Sequence, residues 1–383
     1  MPWKVAHVMD QRIAFVIEAA APTANLSALC RKFGISRRTG YKWRGRLAEA
    51  GTVVGLAEQS RRPHTSPQQT PLALEEEVVR LRVEYGWGGR KLAVVLGRQG
   101  LKLPEVTINR ILKRRGLIAG ADSHRPATRR FCREEPNQLW QMDFKGEYPV
   151  VEGKVYPLVV LDDHSRYLLG LWPLASPNAQ LTKGVLGRLF EGVGVPAALL
   201  LDHGVPWWAN SNYYGLTHLS VWLMRQGIEL LFSGLRHPQT QGKTERQNRT
   251  LKERTGWRGV PVDRQAWAEW APCYRREYNE VRPHEALALR TPAEVWSKAN
   301  LREYQACPPA WDYGAVTTRR VDRLGHLSWK GRRFFVCEAL VGEWVRVDEL
   351  EDLLLVSYCN TVLREIDLCT GASRPVTLAG RFN

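Results

Sequence analysis

Trp140-Gln-Met-Asp-Phe144 is a short run of apolar and aromatic residues around one aspartate, a pattern typical of a buried β-strand. The residues just before it, 121–136, are polar and basic, so a domain boundary is predicted near Pro136. After it, the apolar residues 150–151 and 155–161 flank a Glu-Gly-Lys turn and predict a hairpin, followed by a third strand at 167–172. The central region is therefore predicted to begin with β-strands, of which two neighbours along the chain form a hairpin.

The central region then alternates between helix and strand. A helix is predicted over 179–190 and a strand over 197–201, followed by a helix over 216–226 and a strand over 228–232. This alternation after a hairpin predicts an α/β domain over 136–300 with a mixed five-stranded sheet. Short strand patterns beyond Trp311 predict a small all-β barrel, or a sandwich, over 311–370.

Two helical units are predicted in front of this domain. In the first, Gly34 allows a turn between two helices and Ser36 can cap the second, as in a helix-turn-helix. An ordinary helical hairpin is the alternative, but residues 31–46 hold seven basic and no acidic residues, which favours DNA binding. The predicted segments are a helix-turn-helix domain at 1–54, a linker at 55–71, a second helix-turn-helix domain at 72–120 and a basic linker at 121–135.

The composition supports a multidomain protein that binds a polyanion. Its 383 residues exceed what one hydrophobic core usually serves, and 55 basic against 39 acidic residues give a net charge of +16. The seven cysteines form no C-x-x-C pair, so a reducing cytoplasm is expected and a zinc ribbon is not. No segment is read as an export signal or as a membrane span, so no membrane partner is expected.

Three carboxylates are predicted to form a metal site: Asp143 in the first strand, Asp202 at the end of another, and Glu245 in a basic helix. Carboxylates hold hard divalent cations, and two such ions can activate a nucleophile and stabilise the leaving oxygen on a phosphate backbone. For Glu245 alone, an ion pair with Arg249 four residues later is a competing explanation. Asp162 and Asp163 are interpreted as turn residues instead.

Basic side chains in three regions are predicted to contact DNA. Those near Glu245 are expected to grip the backbone phosphates, and those in the helical units are expected to meet the duplex. The predicted DNA-binding residues are Arg37, Arg38, Lys42, Arg44, Lys113, Arg114, Lys243, Arg246, Arg249 and Lys252.

Five motifs together resemble the integrase core of Asp-Asp-Glu insertion-sequence transposases, a group similar to retroviral integrases. They begin at Gln138, Leu161, Leu201, His237 and Tyr278, and read QLWQMD, LDDHSR, LDHG, HPQTQGKTERQNRTL and YNEVRPHEAL. The resemblance implies a ribonuclease-H-like core in which Asp143, Asp202 and Glu245 are the catalytic ligands of two Mg²⁺ or Mn²⁺ ions. It also implies that the helical units bind terminal repeats and that the β domain assists DNA binding or assembly.

The function implied is a DNA transposase that cleaves and transfers strands, acting as a homo-oligomer on element ends and target double-stranded DNA. The expected setting is a prokaryotic cytoplasm, in association with the nucleoid, with no small-molecule substrate. The alternatives are a catalytically silent DNA-binding regulator and a nuclease that hydrolyses strands without joining them. Two departures from the family are His203, where relatives often have Asn, and a long interval from Asp202 to Glu245, in which residues 207–218 are interpreted as an extra loop.

Overall fold

A computed structural model describes residues 8–59, 69–118, 132–209, 215–232 and 242–376. The chain divides into two compact units, Met1–Thr70 and Pro71–Asn383. Among the helices in these described ranges, none is long and apolar enough to cross a membrane.

The first unit is a three-helix bundle with helices α1 (Val8–Ala20), α2 (Leu26–Lys32) and α3 (Arg37–Ala50), followed by a 3-10 turn at Val53–Leu56. Phe15, Trp43 and Leu56 are buried at its centre. The predicted helix, glycine turn and second helix are confirmed: Gly34 has a φ of +65°, and the Ser36 hydroxyl accepts a hydrogen bond from the Thr39 amide. Local capping and turn chemistry therefore set this bundle.

The second helical unit opens the larger part of the chain. Its helices are α4 (Leu72–Tyr85), α5 (Gly89–Arg98) and α6 (Glu105–Arg114). Leu81, Leu92 and Ile108 are fully or almost fully buried between them. The predicted second helical unit is therefore present as three packed helices.

The central sheet follows the sequence prediction closely. Its strands are β1 (Trp140–Phe144), β2 (Tyr148–Val150), β3 (Gly153–Asp162), β4 (Leu168–Leu174), β5 (Ala198–Leu201) and β8 (Glu229–Phe232), while β6 (Trp208–Ala209) and β7 (Gly215–Leu216) form a separate small hairpin. The order is β2-β3-β1-β5-β8, and β4 also pairs with β3. Because β1 is antiparallel to β3 and parallel to β5, the sheet is mixed, as predicted. It has six strands and not five, since the short β2 pairs with the start of β3.

Helices cover both faces of this sheet. On one face, α7 (Ala179–Val193) and α8 (His218–Arg225) pack against the side chains of Trp140 and Met142. On the other face lie α9 (Gly242–Arg258) and α10 (Arg264–Arg276), over Val159 and Leu161 of β3. Successive side chains of a strand point to opposite faces, so Gln141 and Asp143 of β1 face α9.

The carboxyl-terminal region is all β. Its strands are β9 (Thr318–Arg320), β10 (His326–Trp329), β11 (Arg332–Phe335), β12 (Trp344–Leu350), β13 (Leu353–Tyr358), β14 (Thr361–Asp367) and β15 (Ser373–Pro375). They form an open five-stranded sheet, β15-β14-β13-β12-β9, and a separate hairpin of β10 and β11. The predicted closure into a barrel is not seen in the described part of the chain, because β15 and β9 remain unpaired edges of the sheet.

Candidate active site

The site is built at the ends of two neighbouring parallel strands. Trp140 of β1 is paired with Leu199 of β5, and Gln141 with Leu200. Continued by two residues, this register brings Asp202 level with Asp143. Adjacent strands lie about 4.8 Å apart, so the two aspartates emerge side by side at one edge of the sheet.

The Asp143 carboxylate lies in a largely buried position under α9. Its pKa is raised to about 6, first by burial, then by the negative charge of Asp202, with a smaller contribution in the same direction from Glu245. The Asn248 side-chain amide opposes this shift by donating a hydrogen bond of 2.7 Å to Asp143 Oδ2. The charges of the three predicted ligands are thus within electrostatic reach of one another.

Asp202 is held by N–H groups of the loop that follows it. Its Oδ1 atom accepts a bond of 3.0 Å from the Gly204 amide and one of 2.8 Å from the Trp207 indole N–H. The same indole N–H lies 3.1 Å from the Asp202 carbonyl oxygen. The carboxylate is therefore oriented from its own loop, whereas Asp143 is oriented from α9.

Glu245 projects from the first turn of α9 and is exposed. The competing interpretation of Glu245 is an ion pair with Arg249. In the described structure Arg249 pairs with Glu253 instead, with 3.8 Å between Arg249 Nε and Glu253 Oε1. In the described region Glu245 therefore remains available as a ligand, and its catalytic role stays a prediction.

A polar network anchors the first turn of α9 to the sheet. The Thr244 hydroxyl donates to Gln141 Oε1 at 3.1 Å, and Gln141 Nε2 donates to Asp163 Oδ1 at 2.7 Å. The Lys243 ammonium lies 2.5 Å from the same carboxylate oxygen, although Asp163 has no exposed surface. Burial lowers the pKa of Lys243 and the Asp163 charge opposes that change. This network fixes the helix that presents Glu245 and Asn248.

The turn interpretation of Asp162 and Asp163 agrees with the structure, since β3 ends at Asp162 and a turn follows. Asp162 accepts hydrogen bonds from the Asn137 amide and from the amide and hydroxyl of Ser165. Both carboxylates are therefore satisfied inside the protein.

The donor set fits a divalent cation in chemistry and in charge. Three carboxylates offer hard oxygen ligands, and a cation would relieve the repulsion that raises the pKa of Asp143. As the side chains stand, no cluster of three or more His, Cys, Asp or Glu residues close enough to hold a metal occurs in the described ranges. The two adjacent aspartates, with Glu245 nearby on α9, are the residues that would hold it.

The ten predicted DNA contacts differ in how free their side chains are. Arg37, Arg38, Lys42 and Arg44 are exposed on α3, as are Lys113 on α6 and Arg246 and Lys252 on α9. Arg114 pairs with the buried Glu75 at 2.6 Å, and Arg249 with Glu253. Lys243 is turned inward onto Asp163. The DNA-contact role of all ten stays a prediction, and all of them except Lys243 are exposed.

The two departures from the family pattern meet beside Asp202. The His203 ring makes an edge contact with Trp208 at 4.4 Å, and burial lowers its pKa. Trp207 is buried, and Trp208 belongs to the small hairpin. Both tryptophans therefore pack on other aromatic side chains, while residues 210–214 of the predicted extra loop lie outside the described residues.

Four site residues escaped prediction: Gln141, Asp163 as a charge partner, Trp207 as a donor, and Asn248. Asn248 follows Glu245 by three residues and therefore shares its helix face, a spacing that could have identified it. The pairing of Lys243 with Asp163 joins residues 80 positions apart and has no local signal.

Comparison with known proteins identifies the domains. Residues 133–238 and 226–292 each match a model described as integrase core domain. Residues 11–64 match a helix-turn-helix domain, and residues 39–112 match a homeodomain-like domain. The chain thus has helix-turn-helix domains followed by an integrase core with a ribonuclease-H-like fold.

Among curated relatives, the Pro-Pol polyprotein of feline foamy virus is 31% identical over 119 residues, covering 31% of this chain and 10% of the viral protein. The chain spans about a tenth of the length of such viral relatives. The insertion element IS407 uncharacterized 31.7 kDa protein of Burkholderia multivorans is 23% identical, covering 71% of this chain and 95% of that protein. A solved structure of the HTLV-2 integrase catalytic core domain in complex with magnesium has a TM-score of 0.33, with 16% identity over 42% of this chain and 97% of that one.

These matches define the class first: a protein with an integrase core. The match along most of an insertion-element protein then adds a likeness to insertion-sequence proteins. The resemblance drawn from the five sequence motifs is confirmed.

Proposed function

We propose that this protein is a DNA transposase that binds the ends of its own element and catalyses DNA strand cleavage and strand transfer at Asp143, Asp202 and Glu245. One observation supports this best: the β1–β5 register brings Asp143 level with Asp202, and the charge of Glu245 reaches the same carboxylate. Three acidic groups at the edge of a sheet, in a chain of net charge +16, suit chemistry on a phosphate backbone.

The proposed reaction has two displacements at phosphorus. In cleavage, a water oxygen forms a new P–O bond and the DNA 3′-oxygen leaves as a 3′-hydroxyl. In strand transfer, that 3′-hydroxyl attacks a phosphodiester of target DNA and displaces another 3′-oxygen. Two Mg²⁺ or Mn²⁺ ions, when bound by the three carboxylates, supply charge neutralisation for both steps.

The residues around the carboxylates have positioning tasks in this proposal. Asn248 of α9 donates a hydrogen bond to Asp143 Oδ2 and thereby fixes the orientation of that carboxylate. The amide of Gly204 and the indole of Trp207 hold Asp202 Oδ1. Because these donors are already in place, little reorganisation is needed when substrate binds.

Recognition is assigned to the helical units. The exposed basic residues of α3 lie on a helix whose opposite side is buried through Trp43, as in a recognition helix. We expect a homo-oligomer on DNA, since two element ends must be held together, in the cytoplasm and in contact with the nucleoid.

The decisive experiment is a strand-transfer assay with purified protein, Mg²⁺ and the DNA ends that flank its gene. Asp143→Asn, Asp202→Asn and Glu245→Gln should each lower strand transfer at least about a thousandfold, because each removes a charged ligand. The matched control is Glu253→Gln, a neutralised carboxylate two turns further along α9, which should stay within about twofold of wild type.

The outcomes separate the candidate functions. Cleaved ends without joined products identify a nuclease, and end binding without either product identifies a silent regulator. Joining at the wild-type rate by any of the three variants contradicts the catalytic assignment.

The role of α3 can be tested by the salt dependence of end binding. Arg37→Ala and Arg38→Ala should each weaken binding and reduce the slope of log K against log salt by about one, because each removes a phosphate contact. The control is Arg80→Ala, since Glu77 and Glu84 already neutralise this surface arginine. Unchanged slopes in both α3 variants would remove the recognition role of this helix.

A further inference from the structure

The loop after β5 wraps closely around the Asp202 carboxylate. Oδ1 accepts two N–H groups, from Gly204 and Trp207, while Oδ2 accepts no hydrogen bond from the described residues. A Cβ at Gly204 would lie 2.9 Å from Oδ2 and 3.0 Å from Oδ1, so no larger residue fits without displacing the carboxylate. The two oxygens of the Asp202 carboxylate are therefore not equivalent. Oδ1 accepts two hydrogen bonds, and Oδ2 accepts none from the described residues.

Trp207 is itself held rigidly. Its side chain has a relative exposure of 1%, and its ring stacks on Phe144 with centroids 5.5 Å apart. The carbonyl oxygen of Trp207 accepts a hydrogen bond from the Ser220 hydroxyl on α8. The indole thus packs on Phe144, the residue that follows Asp143 in β1, while it donates to Asp202.

We infer that Trp207 is a positioning residue for the second aspartate: its indole N–H occupies Asp202 Oδ1 and thereby reserves Oδ2 for a divalent cation. This inference rests on the proposed function. A phenylalanine could fill the same apolar space against Phe144, but it has no N–H to donate. The role thus depends on one hydrogen bond in addition to the volume of the ring.

The test is a measurement of metal affinity that does not depend on turnover. Binding of Mn²⁺ to the full-length protein, followed by the paramagnetic signal of the free ion, should weaken about tenfold in Trp207→Phe, as is usual when a partner that orients a ligand is removed. Trp208→Phe is the matched control, because the neighbouring Trp208 packs on His203 and Phe232 without a described bond to Asp202. It should bind Mn²⁺ as wild type does.

A double-mutant cycle distinguishes positioning from general loosening of the fold. In an Asp202→Asn background, Trp207→Phe should weaken Mn²⁺ binding by less than about twofold, because the charged oxygen that the indole orients has already been removed. The inference is overturned if Trp207→Phe lowers Mn²⁺ affinity equally in the wild-type and Asp202→Asn backgrounds. It is also overturned if Trp207→Phe alone has wild-type Mn²⁺ affinity. If Asp202→Asn alone leaves Mn²⁺ affinity unchanged, the metal site of the proposed function fails instead.

Should Trp207→Phe not fold, the hydrogen bond can be observed in the otherwise wild-type protein. An indole N–H bonded to a carboxylate resonates downfield, so in ¹H–¹⁵N spectra one indole signal should move upfield in Asp202→Asn. The same signal should be unaffected by Glu253→Gln. If no indole signal responds to Asp202→Asn, the proposed bond is absent and the inference is overturned.

Discussion

The two ends of α9 are fastened to the protein in different ways. At the amino end, Lys243 and Thr244 bind the buried side chains of Asp163 and Gln141. At the carboxyl end, Arg254 and Trp257 donate to the backbone carbonyls of Glu84 and Val83, in the last turn of α4. The amino end is bonded to the integrase core, and the carboxyl end holds the second helical unit against that core.

The contacts at the two ends of α9 differ in burial, so they are expected to contribute differently to the free energy of unfolding. Asp163 is completely buried and Lys243 pairs with it, so loss of Lys243 leaves a buried carboxylate without this opposite charge. The last carbonyls of α4 have no partner within their own helix, but water could replace Arg254 and Trp257, which is 45% exposed. The contacts at the amino end of α9 are therefore expected to contribute more to the free energy of unfolding than the contacts with the second helical unit.

The largest effect is expected at the amino end. Lys243→Met should lower the free energy of unfolding by about 3–5 kcal/mol, because it leaves the Asp163 charge buried and unpaired. Urea denaturation followed by circular dichroism measures this loss. The control is Lys252→Met on the exposed side of the same helix, which should change stability by no more than about 0.5 kcal/mol. Equal stability of the two variants would contradict the contrast between the ends of α9.

A smaller and more local effect is expected at the carboxyl end. Arg254→Ala removes the donor to the Glu84 carbonyl and the ion pair with Glu277, whose pKa is raised by burial and lowered by Arg254. The cost should be about 1–3 kcal/mol. Amide hydrogen exchange should speed up in α4 to α6 while β1 and β3 keep their protection.

Arg249→Ala is the control for this second experiment, since Arg249 pairs only with the exposed Glu253 in the described structure. It should leave exchange in α4 to α6 unchanged. Faster exchange throughout the central sheet in Arg254→Ala would mean that the second helical unit and the core are one cooperative structure.

The sequence predicted those features that depend on neighbouring residues. The Ser36 cap, the Gly34 turn and the strand ends at Asp143 and Asp202 follow from local chemistry, and the structure has each of them. The mixed sheet also followed, because strand and helix patterns alternate at clear intervals. The first arm of the predicted hairpin, residues 150–151, corresponds to β2, and the predicted count of five strands was one too low.

What the sequence did not predict depends on distant contacts. Lys243 is predicted as a DNA contact because it stands in a basic segment, and its ion pair with a carboxylate brought in by the turn after β3 has no local signal. The bond from Trp207 to Asp202 was missed for another reason: an indole can pack or donate, and the sequence does not show which. Burial and orientation, which only the folded chain has, decide both cases.

The length of α9 has a consequence that can be expressed in base pairs. The helix rises about 1.5 Å per residue, so the twelve steps from Glu245 to Trp257 span about 18 Å. That is the axial length of about five base pairs of B-form DNA. With the second helical unit bonded to Trp257 and with Glu245 in the first turn, the length of α9 fixes the distance between that unit and Glu245. In the proposed function, this distance sets how far Glu245 lies from DNA held by the second helical unit.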